Sequence, residues 1–223
     1  METSLSFTEE NYLKAIYHLS DQDSKGVSTN SLAESVQTKP ATVSDMIKKL
    51  DKKRLISYVK YQGVNLTPQG ENIALSIIRK HRIWEVFLVE KLAFNWDEVH
   101  PIAEQLEHIQ SDSLINKLDD FLNNPKVDPH GDPIPDRDGN FNLRPSILLA
   151  ELELSINAIV CKVNSDDPRL LQYLDKVSIR PGTILEIIER NDFDNSLQIK
   201  VEKNRTLYLS NEIATQLNVT TIV

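Results

Sequence analysis

The 223-residue sequence predicts a mainly α chain with a small β domain at its end. Three observations carry that expectation. Apolar residues recur at helical spacing as far as Leu122, five of the ten prolines fall between Pro125 and Pro145, and from Ile147 the pattern changes to short β-prone runs. The expected order is an N-terminal winged helix-turn-helix over residues 1–72 and a helical domain over 73–124. A proline-rich linker over 125–146 and a C-terminal SH3-like barrel over 147–223 follow.

Taken in order, Thr8 to Ser20 reads as an amphipathic helix behind a Thr8 cap, with Tyr12, Leu13, Ile16, Tyr17 and Leu19 on its apolar side. Ser28 caps a short helix containing Leu32, Ala33 and Val36. After the turn 37–39, Pro40 occupies a first helical position, and Val43, Met46, Ile47 and Leu50 form the apolar stripe of a third helix. Leu55–Lys60 and Val64–Leu66 flank Tyr61-Gln62-Gly63 and predict a hairpin, the wing. Thr67 and Pro68 open a helix running to about Leu92. A further helix starts at Asn95–Asp97, and Ser113–Leu122 completes a helical dimerisation unit. Strands are expected at Leu149–Lys162, Thr183–Arg190, Leu197–Val201, Thr206–Leu209 and Val219–Val223, interrupted by a short helix at Arg169–Leu174.

The formal charge of −8 argues against a polyanionic partner for the chain as a whole, yet the charge is uneven. Residues 36–62 hold seven basic side chains against two acidic ones. Lys39, Pro40, Thr42, Ser44, Asp45, Lys48 and Lys49 on the third helix, with Lys60 and Tyr61 in the wing, form a mixed hydroxyl, carboxylate and ammonium face. Such a face suits the phosphates and base edges of duplex DNA. The single cysteine, Cys161, excludes an intramolecular disulfide and agrees with a reducing compartment. No apolar run reaches a membrane span and residues 1–8 lack signal-peptide features, so a cytoplasmic chain without a membrane partner is expected.

The densest chemistry lies at VHPIAEQLEHI. His100, Glu104, Glu107 and His108 sit at relative positions 0, 4, 7 and 8, which on one helix fall within roughly a 100° arc. HRIWE adds His81 and Glu85 one turn apart. Each pair alone fits a solvated ion pair, but six such residues at paired spacing point to a divalent metal, and the all N/O donor set suits first-row ions.

These residues resemble the diphtheria toxin repressor (DtxR) family of metal-dependent transcription regulators, and within it the manganese-responsive MntR branch. The resemblance rests on ENYLKAIYHL, the helix-turn-helix with its wing, HRIWE, VHPIAEQLEH, PHGDPIP and a terminal β domain of FeoA type. It implies a homodimer on a palindromic DNA operator of metal-uptake genes, with Mn2+ or alternatively Fe2+ as the activating ion. It also implies one site from Asn11 with Glu104, Glu107 and His108, and a second from His81, Glu85 and His100. Relatives more often carry Asp or Met at the position of Asn11. An extra site in some members maps onto Asp128, His130, Asp166 and Asp167.

Two other readings predict different behaviour. A metal-dependent hydrolase or oxidase needs an open coordination position and a general base, and the chain has no HExxH or paired ExxH motif. A winged-helix regulator sensing an organic ligand would use the His/Glu stripes only as ion pairs.

Overall fold

The computed structural model describes residues 5–20, 26–59, 62–141, 145–201 and 205–222. The chain divides into two compact units, one of residues 1–81, 106–110 and 135–140 and one of residues 82–105, 111–134 and 141–223.

In the first unit, α1 (Phe7–Ser20) begins earlier than the expected Thr8 cap. Ser6 and Glu9 form the cap reciprocally: the Glu9 N–H donates to Ser6 Oγ at 3.3 Å, and the Ser6 N–H donates to Glu9 Oε2 at 2.8 Å. Both Ser6 and Thr8 are good cap residues, and the one with a Glu three positions on wins. α2 (Thr29–Ser35) is capped by Ser28 as expected, and α3 (Pro40–Lys52) starts on its proline. β1 (Ile56–Val59) and β2 (Gly63–Leu66) pair antiparallel, Ile56 opposite Leu66 and Val59 opposite Gly63. This is the expected winged helix-turn-helix. Its core joins Tyr12, Leu13 and Ile16 of α1 to Leu32, Val43, Ile47, Leu50 and Val64. Lys60 and Tyr61 lie outside the described residues.

The Thr67 hydroxyl, taking the Gly70 N–H at 3.1 Å, starts α4 (Pro68–Leu92), an unbroken 25-residue helix. It runs straight through residue 72, where the first domain was expected to end.

The expected stripe helix is shorter than its spacing suggested. α5 covers only His100–Leu106, after a turn in which the Glu98 N–H donates to Asn95 O. Pro101 is tolerated in the first turn, where its missing N–H has no helical partner. Glu107 and His108 follow the helix in a turn closed by the Ile109 N–H on Leu106 O. The four residues therefore do not share one helical face.

In the second unit, α6 (Asp112–Phe121) is capped by Ser111 and packs Ile115 and Leu118 on Ile83 and Val86 of α4. The proline-rich stretch is an ordered loop where described. Gly131 adopts φ +92°, and a Cβ there would lie 2.0 Å from Cys161 O, so no side chain fits. The C-terminal part holds β3 (Ile147–Leu148), β4 (Asn157–Val163), α7 (Pro168–Lys176), β5 (Ile184–Arg190), β6 (Leu197–Val201), β7 (Arg205–Leu209), α8 (Asn211–Ala214) and β8 (Leu217–Thr221). Its antiparallel sheet, SH3-like in type, has the order β3-β8-β4-β5-β6-β7 around Val160, Leu185, Ile187, Ile199 and Val219. The expected strand Leu149–Lys162 breaks in two. Leu149–Glu151 forms a 3-10 turn that buries Leu149 and Leu152, and Ser155 takes φ +62° before β4 begins. Among the described residues, no helix is long and apolar enough to cross a membrane.

Candidate metal centre

On α1, Phe7, Glu10, Asn11 and Lys14 fall within about 100° of arc. Within the first unit this stripe faces the turn 107–110. Phe7 stacks on the His108 ring at 4.5 Å. Glu10 Oε2 meets His108 Nδ1 at 2.6 Å, and Glu10 Oε1 accepts from Gln110 Nε2 at 2.6 Å. Lys14 Nζ donates to both oxygens of Glu107, at 2.7 and 2.8 Å, and His81 Nδ1 lies 2.6 Å from Glu107 Oε2. Glu10 and His108 are buried, and Glu107 is 0 % exposed. In the middle of the stripe, the buried Oδ1 of Asn11 has no hydrogen-bond partner.

That arrangement fits a divalent ion. A carboxylate on His108 Nδ1 fixes the ring and leaves Nε2, 4.0 Å from Glu107 Oε1, as the available nitrogen. A buried amide oxygen without a donor costs about 1–3 kcal/mol unless something positive satisfies it. One amide oxygen, one carboxylate and one imidazole nitrogen form a donor set suited to Mn2+ or Fe2+. The contacts of Phe7, Glu10, Lys14 and Gln110 were absent from the sequence expectation. Its one available signal was the polar run Glu10, Asn11 and Lys14 on a helix otherwise rich in buried apolar residues.

The same helix reaches toward α3. Glu9 is buried, and its Oε1 lies 2.5 Å from Lys53 Nζ and 3.4 Å from Lys49 Nζ. Burial opposes its ionisation, but the Lys53 ammonium together with Ser6 outweighs this and holds the carboxyl at about 2, below its ordinary 4.5. On the outer face of α3, Lys39, Pro40, Thr42, Asp45, Lys48 and Lys49 are exposed. Lys48 pairs with Asp45 at 3.1 Å, and the Ser44 hydroxyl donates to Pro40 O at 3.0 Å. Thr42 thus offers the least encumbered hydroxyl of the two expected to meet bases.

The second unit gathers Glu85, His100, Glu104, Asp128, His130 and Asp166. His100 Nδ1 lies 3.6 Å from Glu85 Oε1, and its Nε2 lies 3.7 Å from Glu104 Oε1 and 3.3 Å from Asp166 Oδ2. Nε2 of the buried His130 donates to Trp96 O at 2.9 Å, and its Nδ1 stands 3.7 Å from Glu85 Oε2. Burial works against charging this ring, but Glu85, Asp128 and the Trp96 carbonyl outweigh it and raise it to about 9. Asp128 is pushed upward by burial and by the Glu85 and Asp132 carboxylates, with Arg82 and His130 pulling back. Its Oδ1 accepts the His130 and Asp132 N–H groups at 2.8 and 2.9 Å, which shapes the loop. Asp167 caps α7, taking the Arg169 N–H at 2.9 Å, and pairs with the Arg169 guanidinium, which holds its carboxyl at about 2.

With this geometry in hand, three domain families match in sequence order. Residues 4–64 match the iron dependent repressor N-terminal DNA binding domain, 67–136 its metal binding and dimerisation domain, and 147–221 the FeoA domain. A solved manganese-dependent transcriptional repressor in complex with manganese superposes with a TM-score of 0.88 at 33% identity, covering 96% of this chain and 100% of that one. The chain belongs to the diphtheria toxin repressor family. The manganese regulator SloR is 34% identical over 96% of this chain and 98% of its own, with a TM-score of 0.74. The iron-dependent repressor IdeR of Mycobacterium leprae is 33% identical over 128 residues, 57% of this chain, and the match spans about half of that relative's length, 55%. The diphtheria toxin repressor of Corynebacterium diphtheriae is 26% identical over 82% of this chain and 85% of its own.

Proposed function

We propose that the chain is a metal-activated, DNA-binding repressor that acts as a homodimer on a palindromic operator, with Mn2+ as its ion and Fe2+ as the alternative. The observation that carries this reading is the orphaned Asn11 Oδ1 on a stripe whose neighbours position His108 and Glu107. Asn11, Glu107 and His108 Nε2 would hold the activating ion, joined by Glu104 according to the family pattern. His81, Glu85 and His100 would hold a second ion, and Asp166 stands at the same ring of His100. Bound there, a divalent cation supplies two positive charges that neutralise buried carboxylates.

The residues of the chain do the rest. α1 carries Glu10 to the turn 107–110 on one side and Glu9 to Lys53 of α3 on another, so its position is felt at both places. Fixing α1 favours one pose of α3, which is how a ligand for one conformer shifts a population. Lys39, Lys48 and Lys49 would meet phosphates and Thr42 would face base edges, with Lys60 and Tyr61 contributing from the wing. A 100-fold change in operator affinity needs about 2.7 kcal/mol of coupling, ordinary for such systems. The dimerisation-domain match supports the dimer, and Leu114 and Phe121 of α6 leave apolar surface exposed.

Calorimetric titration of the metal-stripped protein tests the reading against its rivals. Saturable Mn2+ or Fe2+ binding without turnover is expected. An organic-ligand sensor would give no metal heat, and an enzyme would consume substrate.

A further inference from the structure

Glu107 is fully buried, and the cation that reaches both of its oxygens is a side chain. Lys14 Nζ bridges both of its oxygens at 2.7 and 2.8 Å, while His81 Nδ1 touches only Oε2. A buried carboxylate left without a cation is strongly destabilising, so this contact stabilises the fold around Glu107. The ammonium also occupies the oxygens that a metal would need. From these distances we infer that Lys14 is a tethered competitor for the metal: its ammonium stands in for the ion on Glu107 and must leave when the ion arrives, which sets the concentration at which the site fills. The inference rests on the metal-centre reading above and adds a residue with a defined role to it.

The chemistry supports displacement rather than sharing. An ammonium within 2.8 Å of both carboxylate oxygens sits at the contact distance of any second cation on the same group, so the two repel at close range. Lysine has a flexible four-carbon stem and a compact charge that water solvates well. Lys14 is 13 % exposed, which gives the ammonium a route outward. Glu10 is already committed to His108 and Gln110, so it is Glu107 and not Glu10 that changes partners. Asn11, one position after Glu10 and three before Lys14, has an amide oxygen without a hydrogen-bond partner and so needs no displacement to receive the ion.

The test compares Mn2+ affinity and thermal stability for the full chain, Lys14→Gln and Lys14→Arg, all metal-stripped. Lys14→Gln is expected to bind Mn2+ on the order of 10-fold more tightly. Its metal-free form should melt earlier than the unaltered chain, with the gap closing at saturating Mn2+. Lys14→Arg keeps a cation on Glu107 and is expected to bind no more tightly than the unaltered chain. A third arm needs no variant: amine acylation of the unaltered protein, read at Lys14 by mass spectrometry, should accelerate when Mn2+ is added. Unchanged Mn2+ affinity in a folded Lys14→Gln chain, or a melting gap that persists in full with metal, overturns the inference while leaving the metal centre standing. Lys14 acylation that is indifferent to Mn2+ overturns it as well, including where Lys14→Gln does not fold. An unaltered chain that binds neither Mn2+ nor Fe2+ overturns both this inference and the proposed function.

Discussion

The two polar clusters of this chain use the same residue types to different ends. Around the turn 107–110, one carboxylate orients a histidine whose other nitrogen stays available, an amide oxygen goes unpartnered, and a lysine covers the remaining carboxylate. Around Asp128 and His130 more of the polar atoms have partners: His130 Nε2 donates to Trp96 O while its Nδ1 stands 3.7 Å from Glu85 Oε2, and Asp128 ties two backbone N–H groups into the loop. Unmet acceptors mark a place made to take something in. The second cluster also shapes its own loop, yet Glu85, Asp128 and His130 each bring a ligand atom within 4.8 Å of the others, so they too form a group that could hold an ion, and His100, 36 % exposed, stands beside them.

Removing one histidine from each cluster separates them most sharply. His130→Ala strips a cation and a donor from a buried carboxylate and a buried carbonyl, so it is expected to cost about 3 kcal/mol of stability in chemical denaturation. His108→Ala leaves Glu10 with Gln110 as partner and should cost less stability. It should instead abolish the metal response, lowering operator affinity in Mn2+ roughly 100-fold, or about 2.7 kcal/mol. Equal stability losses with an intact metal response in both variants would erase the distinction drawn between the clusters.

Acid probes the link from α1 to α3. Glu9 has a folded pKa of about 2, below its ordinary 4.5, so its contribution is fully present above about 4.5 and is lost as pH falls toward 2. That contribution is about 3 kcal/mol, and Glu9→Gln should flatten the loss of stability across this acid range. A Glu9→Gln chain with an unaltered acid limb would remove Glu9 as the tie to Lys53.

The finest contrast concerns Asn11. Asn11→Asp adds an anionic oxygen where a neutral one stands and should tighten Mn2+ binding about 10-fold, while Asn11→Ala weakens it. If both changes leave Mn2+ affinity and operator binding as they were, residue 11 lies outside the coordination shell.

Much of this architecture could be read from local sequence signals. Ser28 and Pro40 announce α2 and α3, and Thr67-Pro68 opens α4 with His81 and Glu85 one turn apart on it. What escaped was set by contacts distant in sequence. Glu10 and Lys14 meet His108 and Glu107 across more than ninety residues, which no periodicity reports. α5 stops at Leu106 although the His/Glu spacing continues, because Glu107 and His108 turn out of the helix to meet α1. The run Leu149–Lys162 splits because burying Leu149 and Leu152 favours a 3-10 turn over an extended strand.

Coupling between the metal centre and α3 is read most directly from operator affinity of the same preparation after thorough chelation and after Mn2+ addition, at fixed ionic strength because phosphate contacts are steeply salt-dependent. The expected result is a gain of about 100-fold on adding Mn2+. Equal affinity in the two states would contradict the claim that α1 transmits metal occupancy to α3.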